Sequence, residues 1–247
     1  MALQSISSAL LMLAALPGAA IAQGAPRIEQ MPHGLEIQFA LSALPPGMRD
    51  QASVYLLDPK AGYRLAKQGT GGVACLVERT AWEQADYRND IYVPLCYDAA
   101  GSATYLKVIR DAATLRIKGL SPAALKAEIE RRYAVNQYRA PAKSGVSYMT
   151  GPVMRTWMLP DWKVHTMSMP HLMFYAPNLT DSDVGADPRT RMAYPFVFKE
   201  GIAQQTYLIM IVDRDERARI ATDERPLLVS LCAYRDILCV EGAKSDD

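Results

Sequence analysis

Short apolar runs separated by turn residues dominate the first hundred positions. Ala52 to Leu57 (A-S-V-Y-L-L) reads as a strand, and Asp58-Pro59-Lys60-Ala61-Gly62 as a turn. Tyr63 to Lys67 returns, Gly69-Thr70-Gly71-Gly72 turns again, and Val73 to Val77 makes a third strand. This is the pattern of a β-meander. Tyr92 to Tyr97 is a further apolar segment, interrupted by Pro94. Before these, Leu35 to Leu44 has a mixed apolar pattern that favours a short helix stopped by Pro45-Pro46.

The period changes in the middle of the chain. Leu106, Ile109, Ala113 and Ile117 recur near helical spacing within Ala103 to Lys118, and Gly119 follows as a stop. Ser121-Pro122 then opens a second helix, with serine as N-cap and proline in the first turn. Its Leu125, Ile129 and Tyr133 stand four apart and form one stripe. From Ser144 onward short strands return: Val146–Met149, His171–Tyr175, Phe196–Phe198, Tyr207–Val212 and Leu227–Leu231. The charged run Asp213 to Arg219 reads as a solvated loop or helix face. The expected class is α+β, with mostly antiparallel sheets of short strands and two central helices, in one domain over residues 23–247. A weaker reading divides it near residues 140–145, at A-P-A-K-S-G.

The N-terminus changes the compartment. Residues 1–22 carry no charged side chain, and Ala9 to Leu16 is a short apolar core. Pro17-Gly18 breaks it, and Ala20-Ile21-Ala22 supplies small residues where a signal peptidase reads. The run is shorter than the about 20 apolar residues that span a bilayer. A cleaved signal peptide and a periplasmic or extracellular protein are therefore expected, although the leader has no Lys or Arg. No later segment suits a membrane helix. The whole chain of 247 residues holds 27 Lys+Arg against 26 Asp+Glu, so it offers no polyelectrolyte face for nucleic acid.

Export gives the four cysteines a new meaning. Outside the cytosol they can form two bridges, and spacing suggests Cys75–Cys96 and Cys232–Cys239. The second needs a turn, because seven residues of helix rise about 10.5 Å, beyond the about 7 Å limit of a bridge. The segment around it suits a buried helix or a hairpin. The alternative is four reduced, buried thiols.

Half of the twelve methionines fall between Met149 and Met173. Within that stretch, His165, Met167, Met169, His171 and Met173 share one parity. On a continuous strand they would project from one face. Thioether and imidazole together suit a soft ion such as Cu(I), so copper is the one cofactor the sequence suggests. The competing reading is ordinary core packing, with methionine as a flexible filler and Pro170 bending the segment. The sequence contains no G-x-S-x-G, H-E-x-x-H, Walker or G-x-G-x-x-G motif. His171 or a carboxylate such as Asp58, Glu78 or Asp98, each at or near a strand end, would have to serve a hydrolase-like enzyme. His33 sits in what reads as a terminal loop.

The segments Gly69–Arg79 (G-T-G-G-V-A-C-L-V-E-R), Pro94–Gly101 (P-L-C-Y-D-A-A-G) and Pro170–Asn178 (P-H-L-M-F-Y-A-P-N) carry a resemblance. They look like motifs of a family of exported bacterial proteins of unknown function. The resemblance extends over most of the chain after the leader. It implies bacterial export and marks Cys75, Cys96 and His171 as motif positions, but brings no reaction. The leading expectation is an exported soluble protein that binds a small ligand or soft metal in the bacterial envelope. The alternative is a secreted hydrolase-like enzyme.

Overall fold

The computed structural model describes residues 27–158, 160–185 and 195–240. The expected leader, residues 1–22, lies outside them. Helix α1 (His33–Ser42) leads through a 3₁₀ turn at Pro46–Gln51 to β1 (Ser53–Asp58), β2 (Gly62–Lys67) and β3 (Ala74–Glu78). A 3₁₀ turn at Trp82–Gln84 precedes β4 (Val93–Tyr97), which runs into the short α2 (Ala99–Ser102), then α3 (Tyr105–Ile117) and α4 (Pro122–Ala134). Strands β5 (Val146–Met149), β6 (Met154–Met158), β7 (Lys163–Met167) and β8 (His171–Tyr175) follow. After α5 (Asp181–Val184) come β9 (Phe196–Lys199), a 3₁₀ turn at Ala203–Gln205, β10 (Thr206–Ile211), α6 (Arg214–Asp223) and α7 (Arg225–Tyr234).

The class is α+β. Eight strands make one sheet in the order β2-β1-β3-β4-β5-β8-β10-β9, and β6–β7 form a separate hairpin. Every pairing in the large sheet is antiparallel except β1 with β3. Strands from both sides of residues 140–145 share this sheet, because β5 pairs with β4 and β8.

The meander expectation needs correction. β3 does not pair with β2; it crosses the end of β1 and lies parallel on its far side. Gly69 makes this crossing possible, because a Cβ there would lie 2.2 Å from the Gln51 carbonyl oxygen. Gly71 N and Ser53 N then bond to Gln51 O and Val73 O at 2.9 Å each. The β1–β3 ladder covers only Ser53 and Val54. Farther along, Leu57 N donates instead to Glu36 Oε1 of α1 at 3.0 Å.

Both faces of the central strands are covered, so β3 and β4 are buried at every position. Alternation sorts their side chains. Cys75, Val77 and Cys96 meet Phe39 and Ala40 of α1, Leu44 just after it, and Leu227, Leu228 and Leu231 of α7. Leu76, Leu95 and Tyr97 meet Tyr105, Leu106 and Ile109 of α3. On the outer side of α3, Val108 and Ala112 pack with Leu125, Ile129 and Tyr133 of α4. Ser121 caps α4 by accepting from Ala124 N at 3.3 Å.

Leu227–Leu231, expected as a strand, lies in α7. Pro226 fits its first turn, and Leu227, Leu228 and Leu231 fall on one helical face. The preceding charged run is α6, N-capped by Asp213. Cys75 and Cys96 are directly opposed on β3 and β4 and are bridged, with Cα atoms 4.0 Å apart. Cys232 and Cys239 are also bridged, at a Cα separation of 4.5 Å. There α7 ends at Tyr234 and the 3₁₀ turn Asp236–Leu238 reverses the chain. Among the described residues, no helix is long and apolar enough to cross a membrane.

Candidate functional site

The His/Met segment is two strands, not one. His165 and Met167 lie on β7, paired with β6, whereas His171 and Met173 lie on β8 in the large sheet. The chain leaves strand conformation at Ser168-Met169-Pro170, so the parity shared by the five residues does not carry across. His165 is exposed and its Nε2 lies 2.9 Å from Asp161 Oδ1. Met167 stands opposite Met154 in the hairpin. Met169 contributes its backbone carbonyl to His171. His33, at the start of α1, is exposed and hydrogen-bonded to Gln30.

His171 is buried in the sheet. Its Nδ1 lies 2.7 Å from Met169 O. A carbonyl only accepts, so Nδ1 carries the proton and Nε2 presents its lone pair. Among the described residues Nε2 has no hydrogen-bond partner. Burial pushes the imidazole below its ordinary basicity, opposed only by the Met169 hydrogen bond, so the ring is neutral at pH 7. An imidazole whose Nδ1–H is fixed on a carbonyl and whose Nε2 is bare has the orientation of a metal-ligating histidine.

The neighbours of His171 come from other strands. Across β5 it faces Met149, and across β10 Ile211. Two residues on, Met173 faces Ser147 and Ile209. Opposed residues, and residues two apart, share a face, so Ser147, Met149, His171 and Met173 form one patch. Ser147 Oγ is fully buried with no partner. Trp157 of β6 and Val164 of β7 pack against the same apolar cluster as Met149 and Met173. Met149 was not read from the sequence as part of this group. Its strand was recognisable, but its pairing with β8 was not. Among the described residues, no three His, Cys, Asp or Glu side chains are placed to hold a metal ion. Any ion here would rely on thioethers.

A second polar cluster lies where α4, β3 and the β9–β10 connection meet. Gln205 Nε2 donates to Glu200 Oε2 at 2.6 Å, and Tyr133 OH donates to Gln205 Oε1 at 3.1 Å. Tyr207 OH lies 3.4 Å from Tyr97 OH. Glu78 Oε1 and Glu83 Oε2 are buried without partners. Burial and then the neighbouring Glu200 push the Glu83 carboxyl up to about 8, and Glu78 is raised for the same reasons, with Glu83 adding to the effect. Burial also raises Glu200. Burial thus favours the protonated form of each of these carboxyls. The sequence marked Glu78 only as a residue at a strand end. The other carboxylates named with it are structural or peripheral. Asp98 accepts from Gly101 N, Tyr175 OH and Val146 N, and Asp58 caps the β1–β2 turn through Lys60 N.

No family model matches this chain, and no match is found among curated proteins or solved structures.

Proposed function

We propose that this chain is an exported protein of the bacterial envelope that binds a soft metal ion, or a small ligand of similar softness, at the β5–β8 patch around His171. One observation carries this reading: a neutral, buried imidazole fixed by Met169 O, with its Nε2 lone pair unpartnered. A bare imidazole nitrogen held in one orientation by its other nitrogen is poised to donate its lone pair to a soft electrophile. Export is supported by the leader pattern of residues 1–22 and by two disulfides, which persist in oxidising compartments. The resemblance to exported bacterial proteins agrees with it.

The hydrolase alternative receives less support. Among the described residues, His171 has no hydrogen bond to a serine, cysteine or carboxylate, as a general base would need. The test is native mass spectrometry of the oxidised chain after incubation with Cu(I) under argon. A single-ion adduct that persists in excess glutathione supports the proposal. No adduct with either Cu(I) or Ag(I) contradicts it.

A further inference from the structure

We infer that the metal class is a monovalent soft cation, Cu(I) or its analogue Ag(I), held by Met149 Sδ, His171 Nε2 and Met173 Sδ. This deepens the proposed function and rests on it. The set is drawn from two strands rather than one, and three lines of argument select it.

Register comes first. His171 and Met149 are directly opposed on antiparallel strands, where Cβ atoms lie about 4.5–5.5 Å apart. Met173 lies two residues along the same strand, about 7 Å away at the usual strand rise. A methionine side chain has three rotatable bonds, so both sulfurs can reach a point in front of Nε2. The sheet fixes the imidazole and the thioethers adapt.

Charge comes second. All three donors are neutral, and His171 and Met173 are buried, at 4% and 6% exposure. The cost of burying an ion grows with the square of its charge, so an uncharged, apolar donor set favours +1 over +2. Zinc sites ordinarily draw on thiolate, imidazole or carboxylate. No thiolate is available, because all four cysteines are in disulfides. Thioethers with one imidazole suit Cu(I).

The third argument is the unpartnered polar group beside the donors. Ser147 Oγ, opposite Met173 on the same face, is fully buried with no hydrogen bond. Packing alone gives no reason for this orphaned hydroxyl beside a fixed imidazole and two thioethers.

The test compares the full oxidised chain with Met149→Leu, Met173→Leu and the double variant His165→Phe/Met167→Leu. Leucine approximates methionine in volume but removes the sulfur. Cu(I) affinity is read by competition with a chromophoric chelator under argon. Met149→Leu and Met173→Leu are each expected to weaken binding at least tenfold, and the His165/Met167 variant less than twofold. Circular dichroism melts establish that each variant is folded. Cu(I) binding that is unchanged in both leucine variants would overturn this ligand set while leaving soft-metal binding intact. An unmodified chain that binds no Cu(I) would overturn the proposed function itself. Equal or tighter binding of Zn(II) would overturn the assignment of a monovalent ion.

Discussion

His171 faces Met149 across the β5–β8 pair, and its Nδ1 lies 2.7 Å from the carbonyl oxygen of Met169 on its own chain. One nitrogen is thereby fixed and the other left bare beside a thioether. This relationship is the centre of the functional account. The rest of the fold gives it a rigid frame: β5 and β8 lie inside an eight-stranded sheet, and two disulfides secure other parts of the chain.

Glu36 makes the fold sensitive to pH. It is almost wholly buried under β1, and burial raises its carboxyl to about 7 despite the hydrogen bond from Leu57 N and the charge of Arg79. A raised carboxyl favours the folded state while it remains protonated. Its contribution is complete below about 4.5 and is lost as pH rises through about 7. The shift corresponds to about 3 kcal/mol. Glu36→Gln keeps an acceptor for Leu57 N and cannot ionise. Urea denaturation of this variant is expected to show a flatter stability profile between pH 4.5 and 7 than the parent.

Glu83, buried beside Glu78 and Glu200, acts in the same direction at higher pH. Stability held by the protonated Glu83 carboxyl is lost as pH rises through about 8. Hydrogen exchange of residues 203–205 and 133–134, corrected for intrinsic rates, is expected to accelerate from pH 7 to 9. In Glu83→Gln the acceleration should shrink. A profile unchanged by the substitution would remove Glu83 from this role.

The two disulfides should differ in weight. Cys75–Cys96 closes a 21-residue separation and Cys232–Cys239 a separation of seven. Loop-closure entropy assigns about 3 kcal/mol to the first and about 2 kcal/mol to the second. Paired Cys→Ala variants measured by guanidinium denaturation should preserve that order. The buried position of Cys75 and Cys96 adds a packing loss to the first.

Gly69 should resist substitution. A Cβ at this position would lie 2.2 Å from Gln51 O and 2.4 Å from the Ala52 carbonyl carbon. Gly69→Ala must push the crossing away from β1, at a cost of about 1–3 kcal/mol. Its melting temperature should fall relative to Gly34→Ala, where a Cβ meets nothing within 4 Å.

Local chemistry was readable from the sequence where it acted alone. Ser121-Pro122 announced α4, and the spacing of Leu125, Ile129 and Tyr133 gave its buried stripe. The strand at His171–Tyr175 was likewise legible. What the pattern could not supply was pairing. Nothing in the meander of short runs says that β3 crosses to the far side of β1. The Leu227–Leu231 run was ambiguous because five consecutive positions do not separate a strand from a helix; the structure places Pro226 in the first turn of α7. The His/Met stretch shows the same limit in the site. Shared parity held only to Ser168-Met169-Pro170, where the chain passes from the hairpin into the large sheet. The methionine that faces His171 lies 22 positions earlier in sequence and is joined to it only by register.

The most direct measurement of the central claim is a ¹H–¹⁵N spectrum of the histidine side chains during titration with Ag(I), the redox-silent analogue of Cu(I). Before addition, His171 should be neutral with its proton on Nδ1 at pH 7. On addition of one equivalent, the account predicts that His171 Nε2 shifts strongly, while His33 and the exposed His165 keep their resonances. An unperturbed His171, or a shift confined to His165, would contradict it.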